Sequence, residues 1–328
     1  MSHPWPAGSA TGLGSLPLTD PGEAARLVLG EVAELPYLPE LPGRGLGADM
    51  IGRTAGLLVD LAVEWQPHGW TLTSHGGRDL ARARDYLRRD LDAMVDQAQG
   101  VELLKVQVCG PLTLGASLEL PNLHKVLTDL GAFADLTASL AEGVRLHLAS
   151  LREQLPGTTV ILQVDEPSLV AVLAGQVPTP SGYGTVRALE RSVAEPALAQ
   201  VLAAAADGCR VLHSCAAGAP LDLMRSAGAN AVAIDLALLH TRDLDSVGEL
   251  VESGTSLWLG VLAGTDGPID RQRASERIVA MWQQLGFGRD DLAAAVVPTP
   301  ACGLAGASVE YARQTMAVLR DVGRSLLE

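Results

Sequence analysis

Eight short apolar segments recur along the chain, each followed by a longer Ala- and Leu-rich stretch with helical spacing. They are "TGLGSLP" from Thr11, "AELPYLPEL" from Ala33, "LLKVQVCGP" from Leu103, "TVILQVDEP" from Thr159, "CRVLHSC" from Cys209, "NAVAIDL" from Asn230, "SLWLGVLAG" from Ser256 and "AAVVPTPACG" from Ala294. Strands that alternate with helices imply a parallel sheet covered by helices. Eight such units predict closure into one α/β domain, a (β/α)8 TIM barrel over residues 1–328. An open doubly wound sheet gives a similar alternation and is the competing arrangement.

The intervening stretches carry helix signals. "DPGEAARLVLGEVA" offers Asp20 as an N-cap with Pro21 in the first turn, and "ARDYLRRDLDAMVDQAQG" from Ala83 ends at Gly100, a plausible stop. Residues 39–60 form a Gly-rich excursion suited to capping one end of a barrel. "GQVPTPSGYGTV" from Gly175 reads as a long loop after the fourth strand.

With aromatics at only 3%, the core of a 328-residue chain has to be built from Ala, Val and Leu. Charged residues make up 19% and hydrophobic ones 48%, a composition that argues against disorder. The formal net charge of -14 argues against a nucleic-acid partner, whose nonspecific affinity depends on Lys and Arg. "MSHPWPAGSA" has neither a basic n-region nor an apolar h-region, so a cytoplasmic protein is expected. The run from Leu292 to Val309 is broken by Pro298, Pro300, Gly303 and Gly306, so no membrane span is expected. Four cysteines in so long a chain do not form a disulfide framework; reduced thiols are expected.

A barrel builds its active site at the C-terminal ends of its strands. The chemically capable residues fall there: Gly14 and Ser15 after the first segment, Glu40 after the second, and Asp165 and Glu166 after the fourth. His213 and Cys215 follow the fifth, Asp235 the sixth and Cys302 the eighth. His, Cys and Asp are ligand types that zinc uses, and His213 and Cys215, two residues apart, project to the same side of an extended segment. The alternative is structural, with the cysteines as small buried hydrophobes and the histidine a core residue. Cys109 and Cys209 read as packing residues, Cys209 being at the wrong end of its strand. The adjacent carboxylates Asp165 and Glu166 cannot both enter a core without partners. Either one pairs with an Arg or caps the next helix, or Asp165 binds a cationic or amino group of a substrate.

Taken in order, "LGSLP", "VQVCGPLTLGASLEL", "LQVDEPSL", "VLHSC", "AVAID" and "PTPACGL" resemble the C-terminal catalytic barrel of the cobalamin-independent methionine synthase family across nearly the whole chain. The resemblance implies methyl transfer to the thiol of homocysteine, giving methionine, with Zn2+ held by His213, Cys215 and Cys302 and with Asp235 standing where the family has Glu. It implies that Leu13, Gly14 and Ser15 hold the homocysteine carboxylate, and that Glu40 and Asp165 hold its amino group. The family places a proton-donating His after the seventh strand. Here the stretch is "VLAGTDGP", leaving Asp266 as the substitute catalytic acid beside Asp165. The full-length enzymes also carry an N-terminal barrel, for which this chain has no room. Both departures open the donor to a methylcorrinoid, free or on a carrier protein, as well as methyltetrahydrofolate; homocysteine or a similar small thiol remains the acceptor. Two alternatives are a uroporphyrinogen decarboxylase-like barrel without catalytic zinc and a non-catalytic zinc-binding homologue.

Overall fold

The computed structural model describes residues 3–205 and 208–328. Its frame is a curled six-stranded parallel sheet formed by β3 (Leu103–Cys109), β4 (Thr159–Asp165), β5 (Arg210–His213), β6 (Ala231–Asp235), β7 (Ser256–Leu262) and β8 (Val296–Pro300), in sequence order. Two earlier strands, β1 (Ala62–Gln66) and β2 (Gly69–Thr73), form a separate antiparallel hairpin. The hairpin falls outside the eight-segment reading and alternates Val, Trp and Thr around a Pro-His-Gly turn.

The expectation of eight strands therefore needs correction: among the described residues six of the eight segments are regular strands. The first two are extended pieces held by isolated parallel bridges, Ser15 to Glu40 and Tyr37 to Lys105. Their composition explains why. Pro36 and Pro39 have no N–H to give to a ladder, and Gly14 lies at φ +145°, where the chain bends. What remains is a sparse set of backbone bonds, Leu38 N to Lys105 O at 2.8 Å, Lys105 N to Pro36 O at 2.8 Å, Leu16 N to Glu40 O at 2.9 Å and Glu40 N to Gly14 O at 3.0 Å. On the far side Thr11 N reaches Pro298 O of β8 at 3.3 Å.

Helices pack outside the sheet as the patterns suggested. Asp20 caps Pro21–Glu31 by accepting from Glu23 N at 2.7 Å. The next long helix starts earlier than its apolar pattern indicated and runs Arg78–Gln97, with Gly100 beyond it at φ +84°. No helix among the described residues is long and apolar enough to cross a membrane. All four cysteines are free, with Cys109 and Cys209 buried.

Successive strands pair nearly in register, so side chains form layers. Cys109, Asp165 and His213 share one level at the C-terminal ends of β3, β4 and β5. Below them the sheet encloses an apolar plug that includes Trp5, Leu35, Ile161, Val211, Ala233, Trp258 and Val297. The level between plug and rim is polar: Lys105 and Gln163 are wholly buried and Gln107 is nearly so.

Gly260 of β7 shows how tightly the last two strands fit. A Cβ there would stand 2.5 Å from Cα of Ala301, the residue before Cys302, at the register shift between β7 and β8. Because the obstacle is backbone, Gly260→Ala is expected to lower unfolding stability by about 1–3 kcal/mol in urea titration and to displace the Cys302 loop.

Candidate active site

A pocket of about 360 Å³ opens at the C-terminal ends of the strands. Leu13, Ser15, Glu40, Asp165, His213, Cys215 and Cys302 line it, with Pro42, Met50, Pro167, Gly303 and Ala305 completing the wall. Its size suits a small metabolite. A larger cavity of about 460 Å³ lies at the opposite ends of the strands, among His3, Trp5, Val251 and Phe287; it contains neither the thiols nor the paired carboxylates.

Asp165 and Glu166 divide their tasks because successive strand residues face opposite ways. Asp165 points inward, where its Oδ1 accepts from Gln163 Nε2 at 2.7 Å and lies 2.8 Å from His213 Nδ1. Glu166 faces outward and accepts from Leu112 N and Thr113 N, each at 2.8 Å, and from the Thr113 hydroxyl at 2.6 Å. It thereby satisfies the start of the short helix Pro111–Ser117. Burial lifts the Glu166 carboxyl to about 7 against those hydrogen bonds. Of the pair, Glu166 is the structural carboxylate, and the helix it caps precedes it in the chain.

Glu40 is 6% exposed. Burial raises its carboxyl to about 7, opposed chiefly by the Arg53 guanidinium, whose Nε stands 3.9 Å away. Arg53 itself pairs with the buried Asp90, which Arg44 also holds at 2.7 Å. A dense set of contacts places the segment before Ser15. A Cβ on Gly12 would enter the Tyr37 ring, and one on Gly303 would meet the Ser15 hydroxyl. The Cys302–Gly303 turn therefore rests directly on Ser15.

The sulfurs of Cys215 and Cys302 lie 3.8 Å apart and share a hydrogen bond. That contact holds the Cys302 thiol down at about 6 and drives the Cys215 thiol up. Four ligands placed tetrahedrally about 2.3 Å from zinc put two sulfurs about 3.8 Å apart, so the thiol pair already has the spacing of two zinc ligands. His213 adds a second sign of fit: with Nδ1 facing Asp165, its buried Nε2 has no hydrogen-bond partner. A carboxylate behind a ring nitrogen is the usual support of a metal-ligating His. Still, among the described residues no three His, Cys, Asp or Glu side chains stand together as a closed metal cluster.

The structure brings together Leu13, Ser15, Glu40, Asp165, His213, Cys215 and Cys302, with Gly14 in the same segment. Two expected residues stand apart. Asp235 accepts from Ala237 N at 2.8 Å and lines a separate small cavity beside Ala216 and Gly218. Asp266 accepts from the N–H and hydroxyl of Ser308, at 2.8 and 3.0 Å, at the start of the helix Val309–Ser325. Neither lines the pocket, because each short carboxylate is engaged by a backbone N–H nearby. Lys105, Gln107, Gln163 and Arg53 were missed by the sequence reading. For Lys105, Gln107 and Gln163 the signal was the polar residue at every second position in "LKVQV" and "LQVD", within otherwise largely apolar strands; Arg53, in the helix Met50–Ala55, had no such signal.

A family model described as cobalamin-independent synthase, catalytic domain, matches residues 8–325. No curated protein matches the chain. Among solved structures, the chain is similar to an intracellular xylanase of Thermoanaerobacterium saccharolyticum, with 12% identity, TM-score 0.42, and coverage of 90% of this chain and 86% of that one. It is also similar to a phosphodiesterase of Oleispira antarctica solved with sn-glycerol-3-phosphate, with 9% identity, TM-score 0.35, and coverage of 87% and 95%.

The thiol pair gives a direct test in metal-free protein. Alkylation of Cys302 by iodoacetamide is expected to rise with pH around a midpoint near 6, since the thiolate forms above that value. Cys215→Ala removes the supporting hydrogen bond and is expected to move the midpoint toward about 8.5, the ordinary thiol value. An unchanged midpoint would show that Cys215 does not set it.

Proposed function

Because this chain belongs to the cobalamin-independent synthase catalytic-domain family, we propose that it is a zinc-dependent methyltransferase. In this reading it transfers a methyl group to the thiol of homocysteine or a close amino thiol. We read the segments at residues 11–16 and 35–40 as the first two staves of a closed (β/α)8 barrel. The observation that carries the proposal is the convergence of two carboxylates and two closely spaced thiols on one small pocket.

The donor set fits zinc, with Cys215, Cys302 and the Nε2 of His213 as ligands and the substrate sulfur as a further one. Bound zinc would hold the substrate thiol as thiolate at neutral pH, the nucleophile that methyl transfer needs. The protein's own groups do the rest. Glu40 and the free oxygen of Asp165 offer negative charge to the substrate ammonium, and the Leu13–Ser15 segment positions the carboxylate end. Apolar Pro42, Met50, Pro167 and Ala305 limit water around the reacting sulfur.

Asp266 is held at Ser308 and does not line the pocket, so it gives no support to protonation of a leaving folate nitrogen. General-acid help is worth about 10²–10⁴ in rate. A methylcorrinoid gives up its methyl group with the electron pair of the broken cobalt–carbon bond staying on cobalt and no proton needed on nitrogen, and we favour it as the donor, free or on a carrier protein.

Zinc per chain in wild type and Cys302→Ser, followed by zinc-edge X-ray absorption during homocysteine titration, tests the reading. Near-stoichiometric zinc that Cys302→Ser weakens and that gains a sulfur neighbour with homocysteine is the expected result. Absence of zinc would overturn it in favour of a decarboxylase-like barrel, and zinc that ignores homocysteine in favour of a binding role. Methylcobalamin and methyltetrahydrofolate offered separately decide the donor; turnover with methyltetrahydrofolate alone would sink the corrinoid assignment.

Glu40 adds a pH signature. Its carboxyl is neutral below about 7 and charged above, so homocysteine affinity is expected to weaken as pH falls through 7. Glu40→Gln should remove that dependence and cost about tenfold or more in affinity, the worth of a hydrogen bond to a charged group. Calorimetric titration at pH 6 and 8 would measure both.

A further inference from the structure

Gln163 stands between two parts of the pocket that lie far apart in sequence. Its Nε2 donates to the Leu13 carbonyl at 2.8 Å and to Asp165 Oδ1 at 2.7 Å. Its Oε1 accepts from Lys105 Nζ at 2.8 Å. Lys105 also reaches Gln107 Oε1 at 3.1 Å and the Leu13 carbonyl at 3.5 Å, and both Lys105 and Gln163 are shut off from solvent.

The two ends of a primary amide have similar shapes, so nothing steric prevents it from turning over. An ammonium, however, has three donors and no acceptor. Turned over, the Gln163 amide would set donor against donor at Lys105, and oxygen against oxygen at both Leu13 and Asp165. Lys105 as donor, with the Leu13 carbonyl and Asp165 carboxylate as acceptors, therefore fixes which end of the amide faces the pocket. From there the order passes outward: the amide holds Asp165, and Asp165 accepts from His213 Nδ1–H at 2.8 Å. With the proton on Nδ1, the lone pair sits on Nε2, the buried ring atom without a partner.

We infer that Lys105 and Gln163 are positioning residues that tie the Leu13–Ser15 segment to the Asp165–His213 pair and thereby set the tautomer and aim of the His213 ring. Neither residue lines the pocket, and both act through others. The consequence for metal affinity rests on the zinc reading above; the consequence for the ring tautomer does not.

The test uses the full chain with ¹⁵N-labelled histidine, in wild type, Gln163→Leu and the double variant Lys105→Met with Gln163→Leu. His213→Gln assigns the ring signals. Should Gln163→Leu strand the buried ammonium and fail to fold, the double variant replaces both partners by apolar groups of similar size, a change that can be nearly neutral. In metal-free wild type, His213 is expected as a single Nδ1–H tautomer; in the folded variants the two tautomers should be mixed. Zinc affinity, read by competition with a chromophoric chelator, should fall about 10- to 100-fold, the usual effect of losing support behind a ligand. A single unchanged tautomer in the folded variants would overturn the inference, as would zinc affinity equal to that of wild type. If wild type binds no zinc, the zinc reading fails alone, and the tautomer measurement still decides this one.

Discussion

Lys105 carries an ammonium group into a place shut off from solvent, and much of the interior at the upper end of the sheet answers to it. Burial pushes its amine down to about 7, while Asp165 and Glu40 pull it back up. The oxygens of Gln107 and Gln163 take its protons, and the Tyr37 ring lies 5.1 Å away. An isolated charge in such a medium is too costly to persist, so the group survives only because its neighbours are arranged around it. The dependence is mutual. Glu40 is held down by Arg53 and Lys105, and Asp165 shares its oxygen between Gln163 and His213. Losing one charge strands another, which ties the chemistry of the pocket wall to the integrity of the layer beneath it.

The sequence made the pocket largely legible because parallel topology turns a list of strand ends into a place. Ser15, Glu40, Asp165, His213, Cys215 and Cys302 are spread over nearly 290 positions, yet each follows an apolar segment and all of them line one cavity. Where the rule failed, a local competitor won. Asp235 and Asp266 also follow strands, but each carboxylate is engaged by a nearby backbone N–H, Ala237 for the first and Ser308 for the second. The first two strands failed as regular elements for a covalent reason, the prolines and glycines that remove donors and bend the chain. Lys105 and Gln163 were hidden by an assumption that buried parallel strands are uniformly apolar.

Adjacent carboxylates at the end of β4 show that residue type alone says little about role. One strand step separates Asp165 from Glu166, and that step decides between a pocket and a helix start. Glu166 is pressed so closely on the "CGP" turn that a Cβ on Gly110 would stand 2.2 Å from its oxygen. The glycine there gives the carboxylate room to reach Leu112 and Thr113. The Gly-Pro turn is thus half of a structural clamp whose other half lies more than fifty residues later.

The distance between Cys215 and Cys302 also bears on the shape of the sheet. Cys215 follows β5 and Cys302 follows β8, three strand spacings away. In a flat sheet those strands would stand about 14 Å apart, at about 4.8 Å per spacing. Their sulfurs are instead 3.8 Å apart, which short loops at the ends of a flat sheet would not achieve. The sheet must curl until the two rims face each other, and the bond from Thr11 N to Pro298 O on the other flank of β8 continues the same curvature toward the first segment. An open doubly wound sheet would have left the two thiols on separate edges. The pairing that would let this site hold a metal is therefore a product of curvature, invisible in either cysteine's own neighbourhood and dependent on every strand between them.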